Sequence, residues 1–147
     1  MPKYLRFDAT ALLNLEYDAY DINDGFRVKK SKKSNIAIIS TGYMSQKAYE
    51  ISKEYDIELI DIYSINSNQN DKLIEHINRY EHIITLEEGF INCGGLDSYI
   101  NFYIKNKNII NLGFAKKYTF DIGDREFIHS LNHIGFKDIK DILNSLS

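Results

Sequence analysis

A chain of 147 residues with 44% hydrophobic and 27% charged side chains has the size and balance of one globular domain, which excludes a two-domain enzyme, a long solenoid and a disordered tail. A net charge of -3 supplies no general attraction for nucleic acid or anionic membranes, and no apolar run is long enough for a signal peptide or a bilayer span. The single Cys93 rules out an internal disulfide and a multi-cysteine zinc site, so the expectation is a cytoplasmic protein that binds neither nucleic acid nor membrane.

The first 34 residues are set apart by charge. Asp8, Glu16, Asp18, Asp21 and Asp24 have no basic residue among them, and Arg27, Lys29, Lys30, Lys32 and Lys33 then crowd together. Gly25 to Lys29 reads as a short strand at a sheet edge, where lysines oppose pairing with another chain, and the basic run reads as solvated. Residues 1–24 read as an extended segment and linker, leaving 25–147 as the domain.

From Asn35 onward, β-branched runs alternate with segments of helical period, the pattern of repeated β-α units in a parallel sheet covered on both faces. Asn35 to Thr41 is apolar on both sides, as a central strand is, and Gly42 ends it before a helix with Met44, Ala48, Ile51 and Tyr55 on one stripe. Ile57 to Ile62 is the next strand, followed by an Asn-rich loop and a helix carrying Leu73, Ile74, Ile77 and Tyr80 on one face. His82 to Glu87 is strand-like. Gly89, Gly94 and Gly95 mark a loop, and Leu96, Tyr99, Ile100, Tyr103 and Ile104 recur at helical spacing before a strand at Asn108 to Leu112. Asp124 is placed to cap a helix bearing Phe127, Ile128, Leu131 and Ile134, Gly135 to end it, and Ile139, Ile142, Leu143 and Leu146 mark a last helix.

Site motifs are sparse. There is no Gly-x-Gly-x-x-Gly, no phosphate loop, no Gly-x-Ser-x-Gly and no His-Glu-x-x-His. A phosphoacceptor receiver domain would need acids where Ser40-Thr41-Gly42 follow the first parallel strand. Ligands of open α/β sheets sit at the carboxyl ends of the strands, which gathers Thr41, Gly42, Asp61, Tyr63, Glu87 and Glu88 on one edge, a place for a small anion, a regulatory ligand or a partner. The structural reading of the same residues is a tight turn at Gly42 with acids that are solvated or cap helices. Glu126, His129 and His133 share helical spacing, but two or three ligands seldom make a metal site, and an exposed helix face accounts for them; no metal is predicted. Cys93 reads as an inert thiol, and no catalytic residue is assigned.

The ordered set of short motifs resembles the carboxy-terminal domain of transketolase-like thiamine diphosphate enzymes. Asn35 to Gly42 is similar to that domain's opening strand and Thr-Gly turn, with Ala48, Ile60-Asp61-Ile62 and Ser64-Ile65 following at its spacing. Ile84-Thr85-Leu86-Glu87-Glu88 and Gly94-Gly95-Leu96 resemble its Val-Thr-x-Glu-Glu and Gly-Gly-Leu-Gly elements, and Leu112-Gly113-Phe114, Phe120, Arg125-Glu126 and Gly135-Phe136 its closing segment. The resemblance implies a three-layer α/β/α, Rossmann-like fold whose five-stranded mixed sheet has four parallel strands and an antiparallel first strand. It makes Thr41, Gly42, Asp61, Glu87, Glu88, Gly94 and Gly95 a strand-end ligand or interface edge. Pro2 to Phe7 resembles the final strand of the preceding pyrimidine-binding domain, in which Arg6 stands where an arginine helps bind substrate phosphate; its fixed planar charge suits that role only in a full assembly.

As the resemblance implies, the chain is a non-catalytic C-terminal domain or split subunit of an enzyme transferring two-carbon ketol units between sugar phosphates. Thiamine diphosphate and magnesium would be held by the N-terminal domains or subunit, its expected partner, within a dimer. The chain itself has no Gly-Asp-Gly segment to hold that cofactor. The alternatives are the matching part of a 2-oxoacid dehydrogenase beta subunit or of a 1-deoxy-D-xylulose-5-phosphate synthase, and a stand-alone binding module. The sequence departs from the family in lacking a Pro among Asn66 to Asn70, in having Gly89 where a His often follows the paired glutamates, and in having Asp97 where Gly is favoured.

Overall fold

A computed structural model describes residue 8 and residues 11–32, 34–65 and 70–146. In chain order its elements are β1 (Ala19–Tyr20), β2 (Phe26–Lys29), β3 (Ile36–Ser40), α1 (Met44–Tyr55), β4 (Glu58–Ile62), α2 (Asn70–Ile77), β5 (His82–Phe90), α3 (Leu96–Tyr103), β6 (Asn108–Phe114), α4 (Arg125–Leu131) and α5 (Phe136–Leu146). Residues 1–7, Arg6 included, and the Asn-rich positions 66–69 lie outside the described residues.

β3 is central because every one of its residues is buried, so it needs a neighbour on each edge and a layer on each face. Those neighbours are β4 and β5, both parallel to it, with Ile38 opposite Leu59 on one side and Ile84 on the other. β6 adds in parallel beyond β5, and β2 adds antiparallel beyond β4, giving the expected five-stranded mixed sheet in the order β2-β4-β3-β5-β6. Residues alternate between faces along each strand, so Ala37 and Ile39 enter a core with Leu73, Ile77, Leu96 and Ile100 from α2 and α3. Ile36 and Ile38 enter another with Met44, Ala48, Ile51, Ile139 and Leu143 from α1 and α5. The result is three layers, α/β/α.

The N-terminal part departs from the sequence reading. Ala19 and Tyr20 form a two-residue strand opposite Val28 and Arg27, so β1 extends the sheet to six strands and part of the supposed linker belongs to it. Two residues carry no periodicity to read. Their position is fixed from elsewhere, by the Tyr63 hydroxyl donating to the Asp21 carbonyl oxygen (2.8 Å) and by the Asp18 amide donating to the Val28 carbonyl (2.9 Å). β2 is therefore an inner strand along Arg27 and Val28 rather than an edge.

At the other end, β5 runs on through Glu87 and Glu88 to Phe90, with an irregularity in its pairing to β6 between Leu86 and Phe90. Asp124 caps α4 by accepting from the Phe127 amide at 2.8 Å, and α4 stops at Leu131, before His133 in the left-handed region at φ 58°. Ile134 follows the helix and is buried with α5.

Candidate functional site

The strand order reverses at β3: the chain leaves β3 through α1 on one face and leaves β5 through α3 on the other. In an open α/β sheet the crevice between two such strands, at their carboxyl ends, is where ligands bind. Here Gly42 turns the chain out of β3 with φ 60°, which a glycine adopts without strain, and Tyr43 follows it. Glu88 rises from the neighbouring β5. Between them stands α4, contributing Arg125 and His129.

Arg125 holds two carboxylates and a ring. Its Nε lies 2.9 Å from Glu88 Oε1, its Nη2 2.7 Å from Asp8 Oδ2, and its guanidinium carbon 3.8 Å from the Tyr43 ring centroid. The hydrogen bond to Asp8 outweighs the opposing effect of burial and, with the Glu88 charge, raises its affinity for the proton still further. His129 has no exposed side-chain surface. Its Nε2 is 2.8 Å from Glu88 Oε1, and its Nδ1 is 2.9 Å from the ammonium of Lys47, which also reaches Glu126 Oε2 at 3.0 Å and the Ile134 carbonyl at 3.2 Å. A lysine ammonium has only donors, so Nδ1 accepts and Nε2 carries the proton given to Glu88. The Lys47 side chain is 1% exposed and stands 5.0 Å from the Phe136 ring centroid.

The exposed helix face expected for His129 is thus corrected. His129 points into the protein, because a lysine on the buried stripe of α1 brings a charge that must be paired. His133 lies past the end of α4 and is largely exposed, so the two histidines do not share a helix face. Lys47 was missed altogether. Its signal was available: it stands three residues after Met44 on the same stripe, an inward lysine that requires partners.

Asp61, expected to be solvated or a helix cap, is buried in a second network on the α1 side of the sheet. Its Oδ2 accepts from Arg27 Nε and from the Tyr17 hydroxyl, each at 2.8 Å, and its Oδ1 accepts from the Ser45 hydroxyl at 2.6 Å. Arg27, read as part of a solvated run, is drawn to this carboxylate and stacks over Tyr17 at 4.2 Å. Burial first, and then the Asp61 charge, push the Tyr17 hydroxyl well above its ordinary pKa. Thr41 Oγ1 donates to the Ile62 carbonyl at 2.7 Å.

Glu87 points to the opposite face from Glu88. Its Oε1 accepts from the Asp97 amide at 3.1 Å, so this carboxylate sits at the N-terminal end of α3, whose dipole favours negative charge. The backbones of Gly89 and Gly95 close on it: a Cβ on Gly95 would be 2.4 Å from Glu87 Oε2. Gly94 donates to Ser98 Oγ at 3.0 Å, and Cys93 is exposed in the same loop. The predicted edge residues therefore fall into three separate clusters around Asp61, Glu87 and Glu88, rather than one pocket.

Chemically, these clusters neutralise themselves. Among the described residues, no buried side-chain polar atom lacks a hydrogen-bond partner, and no group of three His, Cys, Asp or Glu side chains is placed to hold a metal. An open depression of about 290 Å³ beside Tyr43, Lys47 and Glu126 is walled by Leu12 and Leu13 of the N-terminal segment. Its volume is at the lower limit of ordinary ligand sites. No helix among the described residues is long and apolar enough to cross a membrane.

No family model matches the chain. It is similar to 1-deoxy-D-xylulose-5-phosphate synthase from Francisella philomiragia, at 24% identity over 152 residues covering 99% of this chain and 24% of that protein. The enzyme of the same name from Aliivibrio salmonicida is 25% identical over 97% of this chain and 24% of its own length, and that from Clostridium tetani 33% identical over 58% and 15%. The chain thus spans about a quarter of the length of the first two curated relatives, 24% in each case. Among solved structures it resembles a split-gene transketolase described as an inactive beta4 tetramer (TM-score 0.67, 19% identity, 83% of this chain and 42% of that one). It also resembles the transketolase of Campylobacter jejuni (TM-score 0.67, 12% identity, 89% and 20%). In fold the chain is a transketolase-like C-terminal domain.

Proposed function

We propose that this chain is the accessory C-terminal lobe, or split C-terminal subunit, of a transketolase-like thiamine diphosphate enzyme that transfers two-carbon ketol units between sugar phosphates. Its work is association: it docks beside the cofactor-carrying domains, within a dimer whose active sites they form. One observation carries the reading. The crevice where an open α/β sheet would bind a ligand is filled by the chain's own α4, with Arg125 committed to Glu88 and Asp8 and with His129 and Lys47 sealed beneath it.

The residues present do not fit a magnesium pyrophosphate. A phosphate would have to displace two carboxylates from Arg125, and Asp61, Glu87 and Glu88 are held by basic side chains or a helix amide rather than gathered round a metal. The cofactor's chemistry, stabilising a carbanion on the transferred fragment, is assigned to the missing domains. Arg6 completes a substrate-phosphate site only when the segment around it, residues 2–7, joins the preceding domain. A cytoplasmic location is part of the same reading.

A second reading differs in the reaction alone. The sequence relatives named above are 1-deoxy-D-xylulose-5-phosphate synthases, which favours the corresponding lobe of that enzyme. The test is to combine the chain with the cofactor-domain chain of the same organism, supply thiamine diphosphate and magnesium, and assay ketol transfer and deoxyxylulose phosphate formation side by side.

A further inference from the structure

We propose that the strap joining β6 to α4 is the grip by which this chain holds the cofactor-carrying domain, inserting Tyr118, Phe120 and Ile122 into apolar slots along an open strand edge of that partner. This rests on the accessory-lobe reading. The three side chains are 90%, 89% and 98% exposed. Apolar and polar residues alternate here, with Thr119 and Asp121 between the three, so pairing as a strand would put Tyr118, Phe120 and Ile122 on one side; the Tyr118 and Phe120 rings already lie 6.4 Å apart between centroids.

Residues 118–122 make no backbone hydrogen bond among the described residues, although aromatic and β-branched residues at these positions favour strand. Free N–H and C=O groups beside an alternating apolar row are the requirements for adding a strand to another sheet. Both ends of the strap are fixed, which lowers the entropy lost on docking. At one end the Lys117 amide donates to the Ala115 carbonyl at 2.7 Å, and at the other Asp124 caps α4.

The occupant follows from what lies alongside. Asp8 is bound 2.7 Å from Arg125, the residue next to that cap. The segment just before Asp8 is the one that resembles the last strand of the pyrimidine-binding domain, so a lobe carrying that strand would be tethered through Asp8 within reach of the strap. The relatives are about four times as long as this chain, which covers 24% of the first two, and that remaining length leaves room for such a lobe.

The test uses the triple variant Tyr118→Ser, Phe120→Ser, Ile122→Ser, titrated calorimetrically into the cofactor-domain chain of the same organism, with amide exchange followed in the complex. The expected result is an unchanged melting temperature, binding weaker by at least about 30-fold, and slowed exchange at 118–122 in the wild-type complex. Unchanged affinity together with unprotected amides overturns the strap while leaving the accessory lobe standing. Self-association of the lone chain that the triple substitution abolishes assigns the strap to a second copy and overturns it as well. Failure of the wild-type chain to bind the cofactor-domain chain overturns both.

Discussion

Gly95 has no room for a side chain, because the Glu87 carboxylate that caps α3 lies against its Cα. Gly95→Ala must push that carboxylate off the Asp97 amide, and the expected loss in urea unfolding is about 1–3 kcal/mol. Glu87→Ala removes the cap for about 1 kcal/mol, and the double variant loses less than the two combined, because once Glu87 is gone the alanine has nothing to displace. Additive losses would contradict the contact. Glu58 makes a pH-dependent counterpart. Burial alone would raise its carboxyl, but hydrogen bonds from His76 and Tyr80 and the charge of His76 outweigh that and hold it below its ordinary 4.5. A folded value below the unfolded one means that the stabilisation is complete above about pH 4.5 and is lost as pH falls through the folded value. Glu58→Gln therefore loses about 1–3 kcal/mol near neutral pH, and its gap to wild type narrows below about pH 4; a gap independent of pH would contradict the assignment. Single residues were the scale least legible in the sequence. Asp61 and Arg27 are 34 positions apart and meet only because β2 and β4 pair in register, a contact that no local pattern announces.

Elements were more legible, and the exceptions have physical causes. β3 and β4 follow from short β-branched runs, α1 and α3 from helical period, and the start of α4 from the chemistry of Asp124 as a cap. β1 was not legible because two residues have no period, and the burial of His129 was not because it depends on Lys47, 82 positions away on another helix. That pair makes α4 a helix held by charge: among its own residues only His129 is fully buried. Lys47→Met keeps the side-chain length but strips His129 Nδ1 and the Ile134 carbonyl of their donor, for an expected loss of about 3 kcal/mol. Amide exchange should locate the damage, with α4 opening while β3 and β5 keep their protection. Uniform acceleration across the sheet, or a fully protected α4, would contradict the clamp.

At the scale of the whole molecule, the parallel sheet covered on both faces was legible because β-branched runs punctuated by Gly and helical period leave few topologies open, while the antiparallel strand that makes it mixed followed from the family resemblance. The candidate site was not, since its predicted residues share a sheet edge but point to different faces and meet different partners. What the assembled chain presents outward is a ligand crevice filled by α4 and an unpaired apolar strap beside it, a surface suited to joining a larger enzyme. The most direct measurement is ketol transfer by the cofactor-domain chain as this chain is titrated in. The account predicts no turnover by this chain alone and a rate that climbs to saturation at one copy per partner chain. Turnover by the lone chain, or a partner already fully active without it, would contradict the account.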